Sequence, residues 1–235
     1  MNMHPIILSI KVALISTIIV MLLGTATAWL LCRIRFSGKN ILETVIGLPL
    51  VLPPTVIGFG LLLLFGRNAL LGSFLENTLH IQVVFTWRAA VIAAVVVSLP
   101  LMYRSARAAF ETVDGNLESA ARTLGASELR IFLTVTLPLA LPGILAGILL
   151  AFARALGEFG ATLMLAGNIP GRTQTIPLAI FFAAESGDMR TAGYLVAVIT
   201  LASFVVTYSI NAWFGRKETQ FSRQRGERNA GSDFY

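Results

Sequence analysis

Charge is what this sequence has least of. Asp, Glu, Lys and Arg together make up 13% of its 235 residues, about half their share in ordinary globular domains, while the apolar set reaches 56%. Such a chain has too few polar side chains to cover a water-exposed surface. A water-soluble enzyme and a disordered chain are both excluded on that ground. Cysteine is almost missing as well: Cys32, alone, can close no internal disulfide and build no CxxC metal site. The two histidines, His4 and His80, are far apart in the chain and read as solvated groups outside the membrane, so no metal-binding pair is expected. No G-x-x-x-x-G-K-[ST] segment occurs, which rules out ATP binding by this chain through a P-loop. Nor is there a nucleophile–base constellation. The sequence therefore predicts a protein that is not an enzyme and holds no cofactor of its own.

What is present is a series of long apolar runs. A bilayer core of roughly 30 Å needs about 20 such residues in a helix. Val12–Leu31, Thr44–Phe65, Ile81–Tyr103, Ile131–Ala153 and Thr191–Gly215 qualify, with Arg88 the single charge among them and the part after Pro138 forming the membrane portion of the fourth. The expected fold is an all-α polytopic membrane protein with five transmembrane helices. The first run is too long for a signal-peptide core and is followed by a basic cluster, so it reads as a retained span. Trp29, Trp87 and Trp213 all fall near span ends, where amphipathic rings prefer to sit. Phe159–Gly171 and Thr173–Ala184, split by Arg172, are each too short to cross and read as re-entrant or interfacial helices on the outer side.

The surplus of 18 Lys and Arg over 12 Asp and Glu gives a net charge of +6. In a soluble protein that excess would suggest nucleic acid; here it maps to topology. With the N-terminus outside, the segments Arg33–Lys39, Arg104–Arg130 and the tail from Arg216 face the cytoplasm and hold 12 of the 18 basic residues. Lys11, Arg67, Arg88, Arg154, Arg172 and Arg190 remain on the other side. The positive-inside rule thus predicts N-out, C-in, no nucleic-acid partner, and a polar tail over 215–235.

The connector between the third and fourth spans, about 110–138, is more than a link. Asp114 suits a helix N-cap and Gly125 a left-handed C′ position. Leu117, Ala120, Ala121 and Leu124 share one helical face. Ser127 suits the cap of a second short helix, with Leu129, Phe132 and Leu133 on one face. Helix, Gly turn, helix is the expected form. An amphipathic helix lying on the membrane fits the same periodicity, but such a helix should be basic. This connector instead balances Arg104, Arg107, Arg122 and Arg130 against Glu111, Asp114, Glu118 and Glu128, a mixture suited to a protein partner.

Ala120-Ala121-x3-Gly125-x9-Val135-x-Leu137-Pro138 resembles the EAA loop of the permease subunits of ABC importers. One position departs from that pattern: Ser119 stands where the family has its acidic residue, and Glu118 lies one residue earlier. The stretch Leu48-Pro49-Leu50-Val51-Leu52-Pro53-Pro54-Thr55-Val56-Ile57-Gly58 resembles the second-span signature of oxyanion importers. So does Arg154-Ala155-Leu156-Gly157-Glu158-Phe159-Gly160-Ala161-Thr162, followed by Gly167-Asn168-Ile169-Pro170-Gly171. Together they look most like the permeases of molybdate importers, and the sulfate and tungstate permeases share much of this text. The resemblance covers about 8–214 and implies a type I ABC importer transmembrane domain in a bacterial inner membrane. It also implies a second copy of the chain, two separate ATPase subunits that bind ATP and Mg, and an external oxyanion-binding protein. Glu118, Ser119, Ala120, Ala121, Gly125, Leu137 and Pro138 would form the ATPase-coupling loop.

A divalent oxyanion crossing a low-dielectric region needs weak contacts along its path, because tight binding would stop conduction. No span centre carries Lys or Arg. Pro53 and Pro54 interrupt the second span beside Thr55 and Gly58, and such a break can turn backbone groups and a hydroxyl towards a cavity. A kinked packing helix is the alternative for the same residues. Ser98, before Pro100 in the third span, is a further path candidate. Arg154 and Glu158, four apart, are placed to pair and brace the outer end of the fourth span. A stand-alone secondary carrier is the other transport reading, though no internal symmetry between halves supports it.

Overall fold

The computed structural model describes residues 3–34 and 36–208. The basic tail over 215–235, Trp213 and the end of the fifth predicted span lie outside those residues. Every regular element among the described residues is helical. The described residues fall into two compact units, one ending at Leu195 and the other beginning at Val196.

Within the first unit, α1 (His4–Arg33), α5 (Trp87–Glu111) and α8 (Leu137–Leu156) pack as a three-helix core. Small residues allow the close approach. A Cβ on Gly24 would fall 2.7 Å from Met102 Cγ, and one on Gly143 would fall 2.6 Å from Ala109 Cβ. The Ser105 hydroxyl donates to the Gly143 carbonyl at 2.9 Å, tying α5 to α8. In lipid, where apolar burial no longer separates helix from solvent, such tight backbone contacts and interhelical hydrogen bonds hold the bundle. Val20, Met102, Ala106, Ala140 and Ile144 fill the centre.

Among the described residues four single helices are long and apolar enough to cross a membrane: His4–Arg33, Trp87–Glu111, Glu128–Leu156 and Met189–Tyr208. The second predicted span departs from a straight crossing. Thr44–Phe65 is divided into α2 (Lys39–Gly47), a 3-10 turn (Leu48–Leu50) and α3 (Pro54–Phe65), and the two arms meet at 115°. Pro53, at φ −54° and ψ 137°, is the break. A residue followed by proline is pushed out of the α region, and Pro54 follows. With 12 residues, α3 is about 18 Å long and crosses less than the full hydrocarbon core. Counted as one broken span, it completes five.

The third span also shifts. Its helix begins at Trp87, not at Ile81, and continues to Glu111. The fourth is continuous with the connector: α7 (Glu128–Ile131) passes through a π-type turn (Phe132–Thr136) into α8. Pro138 explains the widening. It has no N–H to give the Thr134 carbonyl, and the Leu137 N–H reaches back five residues to Phe132 instead.

The two short outer segments form α9 (Gly160–Ala166) and α10 (Ile176–Glu185). Each is indeed too short to cross, but α9 does not lie at an interface. Ala161, Leu165 and Ala166 are fully buried, and α9 packs against α3 and α5. Two glycines make that contact: a Cβ on Gly58 would fall 2.7 Å from Ala161 Cα, and one on Gly160 would fall 3.0 Å from Pro54 Cβ. The Ile176 N–H at the start of α10 donates to Ser9 Oγ of α1 at 2.7 Å. Asp188 accepts from the Thr191 N–H at 3.1 Å and caps the last helix, α11 (Met189–Tyr208). In the second unit, Phe204 and Tyr208 stack along this helix.

Candidate functional site: the connector and the broken span

The connector forms the predicted helix–Gly–helix unit. Asp114 accepts from the Asn116 N–H at 2.9 Å and starts α6 (Gly115–Thr123). Gly125 takes φ +80°; the Ala126 N–H then reaches Ala121 O and the Gly125 N–H reaches Arg122 O, closing the helix in a Schellman turn. Ser127 occupies the next cap position, yet its side chain makes no capping bond. Leu129 and Leu133 point outward, whereas Ile131 is buried and Phe132 packs 4.9 Å from the Trp29 ring. The expected face of Leu129, Phe132 and Leu133 is therefore split, with Phe132 drawn against the Trp29 and Phe110 rings while the two leucines stay exposed.

The apolar face of α6 has no cover among the described residues. Leu117 and Ala120 are exposed, Ala121 is half-buried, and Leu124 is 87% exposed. Its opposite face is tied down by charge. Glu118 lies 3.0 Å from Arg33 at the end of α1 and 3.6 Å from Arg122, and it accepts from the Thr136 hydroxyl. Glu128 joins the same cluster, 2.7 Å from Arg33 and 2.5 Å from Arg122. Glu118 is thus turned towards the helix bundle, while Ser119, exposed, spends its hydroxyl on the Gly115 carbonyl. Leu137 is half-buried and Pro138 exposed at the foot of α8.

The Arg122 hydrogen bond, followed by that of Arg33, holds the Glu128 carboxyl down to about 2. Its folded-state value lies below the free carboxyl value of 4.5. The link is therefore complete above the free value and lost only as pH falls through the folded one. Between pH 8 and pH 5 the anchoring of α6 should not change. Amide-exchange protection of α6, each rate taken relative to the intrinsic rate at its own pH, checks this, and lower protection at pH 5 would contradict it.

The path candidates separate into two groups. Pro53 and Thr55 are exposed and Pro54 half-buried at the break. Gly58 is buried against α9. Ser98 is fully buried and donates to the Ala94 carbonyl within its own helix. Gly58 and Ser98 are both closely packed, and neither faces open space among the described residues. Beside the break, Asn40, Thr44, Gly47 and Arg104 line a cavity of about 440 Å³.

Arg154 Nη1 lies 2.8 Å from Glu158 Oε2, and the Glu158 side chain is 2% exposed. The pair does not share a helix face as expected. Helix α8 ends at Leu156, and Glu158 lies past it in the turn to α9. Its Oε1 accepts from the buried Ala161 N–H at 2.8 Å. The guanidinium contact to Oε2 is a charge pair by distance but is not aligned as a hydrogen bond. Sequence spacing found the pair; the capping of α9 was hidden because it depends on where α8 stops.

Among the described residues no cluster of His, Cys, Asp and Glu is arranged to hold a metal ion. His80 closes α4 (Leu70–Leu79) in a left-handed conformation, and His4 is half-buried where a solvated group was expected.

Residues 20–220 match the family described as binding-protein-dependent transport system inner membrane component. The Escherichia coli K12 molybdenum transport system permease protein ModB is 45% identical over 225 residues, 96% of each chain. The Haemophilus influenzae ModB is 44% identical over 219 residues, covering 92% of this chain and 95% of that one. The Salmonella typhimurium sulfate transport system permease protein CysT is 38% identical over 83% of this chain and 71% of its own. Among solved structures, an inward-facing MetNI methionine ABC transporter aligns with a TM-score of 0.65 at 14% identity, covering 88% of this chain and 92% of that one. A bacterial alginate ABC importer aligns with a TM-score of 0.68 at 14% identity, over 92% and 80%. The fold is that of ABC importer membrane subunits.

Proposed function

The chain belongs to the family of binding-protein-dependent transport system inner membrane components, and from that premise we propose that it is the permease subunit of an ATP-driven molybdate importer. The single observation that carries the reading is the uncovered apolar face of α6, with Leu124 87% exposed, held by ion pairs to the end of α1 and the start of α7. A surface loop with no partner would not leave leucines in water while fastening its charged face to the bundle. The partner is a pair of ABC ATPase subunits that bind ATP and Mg. Closure of those subunits pushes on α6, and Glu118, Glu128 and Thr136 pass the displacement to α1 and α8.

The path lies between two copies, since one five-span chain encloses little. Each copy contributes Pro53, Pro54 and Thr55 at its broken span. The break sits between arms that can swing about Pro53, while Gly58 and Gly160 keep α3 and α9 moving as one body. The 110–138 end faces the cytoplasm of a bacterial inner membrane by the Lys and Arg count, and an external oxyanion-binding protein delivers the substrate to the other end. The region 8–214 is the transport domain and 215–235 its cytoplasmic tail.

Greater identity and fuller coverage for the molybdenum permeases than for the sulfate permease favour molybdate. Uptake of labelled molybdate into vesicles holding the assembled transporter, competed with tungstate and sulfate, is the test. Uptake should require ATP and resist sulfate at concentrations where tungstate competes. Equal competition by sulfate would move the assignment to a sulfate importer, and uptake without ATP would identify a secondary carrier.

A further inference from the structure

Basic residues are disfavoured at the end of the bundle opposite α6, where the Lys and Arg count places the outside. Six occur there, and carboxylates account for two: Arg67 lies 3.4 Å from Glu76, and Arg154 lies 2.8 Å from Glu158. Among the described residues no carboxylate is within ion-pair distance of Lys11, Arg88 or Arg172, and these three line one cavity of about 490 Å³. Trp87 lies between two of them. Lys11 Nζ is 3.9 Å from the indole centre and Arg88 Cζ is 5.9 Å from it. The indole face attracts each cation, but it leaves their mutual repulsion uncancelled. Arg172 sits on a fixed turn: its N–H donates to Ile169 O at 3.0 Å, and the neighbouring Thr173 hydroxyl is buried between Ile169 N and Gly167 O.

The surroundings of the cavity are apolar on one side only. Ile7, which lines it, begins an exposed stripe that continues along α1 through Leu14 and Ile18. Lys11 stands in the same row at i, i+4, i+7 and i+11, a single helical face. A cationic cavity beside a tryptophan, opening onto a lipid-facing apolar track, has the form of a headgroup site at the membrane surface.

We propose that Lys11, Arg88 and Arg172 bind a tetrahedral phosphate oxyanion, supplied by an anionic phospholipid whose acyl chain runs along Ile7, Leu14 and Ile18. Free oxyanion has the same headgroup chemistry but would make no use of the stripe. The site is independent of which anion the transporter moves, and its test does not read transport.

Native mass spectrometry of the assembled transporter, loaded with phosphatidylglycerol or phosphatidylcholine, reads the site directly. The wild type should retain phosphatidylglycerol roughly 100-fold better than K11Q/R88Q/R172Q, given the attraction of each basic residue to an anionic headgroup. Phosphatidylcholine should be retained equally by both, and millimolar inorganic phosphate should not displace the bound lipid. Equal retention of phosphatidylglycerol by the two proteins would overturn the proposal. Displacement by inorganic phosphate would overturn the lipid source and leave a free-anion site. R172Q alone, on an exposed turn, should lower retention by about fivefold if the triple variant does not assemble; unchanged retention there would equally count against the site. Loss of outer positive charge does not oppose the topology, so insertion is preserved.

Discussion

Replacing Gly125 with valine is expected to cut coupled transport by about tenfold or more while leaving a chain that still inserts. At φ +80° a residue with a Cβ is strained by about 1–2 kcal/mol, and β-branching adds to that. Space is not the obstacle, since a Cβ at this position would meet nothing within 4 Å. The cost is borne by the turn, which must reorient, and with it the angle between α6 and α7. Three ion pairs depend on that angle, because Arg33 bridges Glu118 on α6 to Glu128 on α7 and Arg122 of α6 reaches Glu128 across the turn. ATP hydrolysis stimulated by the external binding protein and substrate uptake should therefore fall together, by about tenfold or more for a strain of that size. Gly125→Asn, which tolerates the left-handed region, should retain most activity. If valine and asparagine behave alike, the turn geometry is not what transmits the signal. Transport unaltered by valine would remove the coupling role of this loop.

The second large effect is expected at the turn between α8 and α9. Arg154→Met would leave the Glu158 carboxylate, 2% exposed, without its counter-charge. Breaking such a pair from one side costs about 3 kcal/mol, because the remaining ion is still buried. The loss should show as a marked fall in the melting temperature of the purified transporter. R154M/E158Q should recover much of it: the amide oxygen of glutamine can still accept from the Ala161 N–H, and no unpaired charge remains. A double variant no more stable than R154M would show that the pair matters through Arg154 packing and not through charge. Since α9 carries Ala161 and Thr162 against α3, disorder of this turn should also loosen the broken span, which accessibility of a cysteine placed at Thr55 would report.

Much of the fold is legible in the chain because hydrophobic runs and charge counts are local quantities. A first span over Val12–Leu31, the caps at Asp114 and Gly125, and the shortness of α9 and α10 follow from neighbouring residues alone, although α1 extends beyond that run at both ends, to His4–Arg33. Asp114 works through an amide two residues away, and Gly125 through its own backbone angle. The EAA-like loop is readable for the same reason, being a contiguous pattern.

Other features depend on residues distant in sequence, which composition and periodicity do not relate. Pro53-Pro54 signalled an interruption, but its 115° size was set by the packing of α3 on α9. Gly58, a path candidate by its place beside the break, is set by folding against Ala161, 103 positions further along. Glu118, one residue out of register with the family pattern, found its partner in Arg33, at the far end of another span. The scarcity of charge, taken alone, determined that this chain lives in a membrane and which runs cross it. Only the tertiary structure decided how the few charges are used. An ion in a charge-poor chain is stabilised by whichever opposite group folding brings within a few ångströms. That gathers Glu118 and Glu128 around Arg33, sets Glu158 beneath Arg154, and leaves Lys11, Arg88 and Arg172 facing one cavity with no carboxylate among its lining residues.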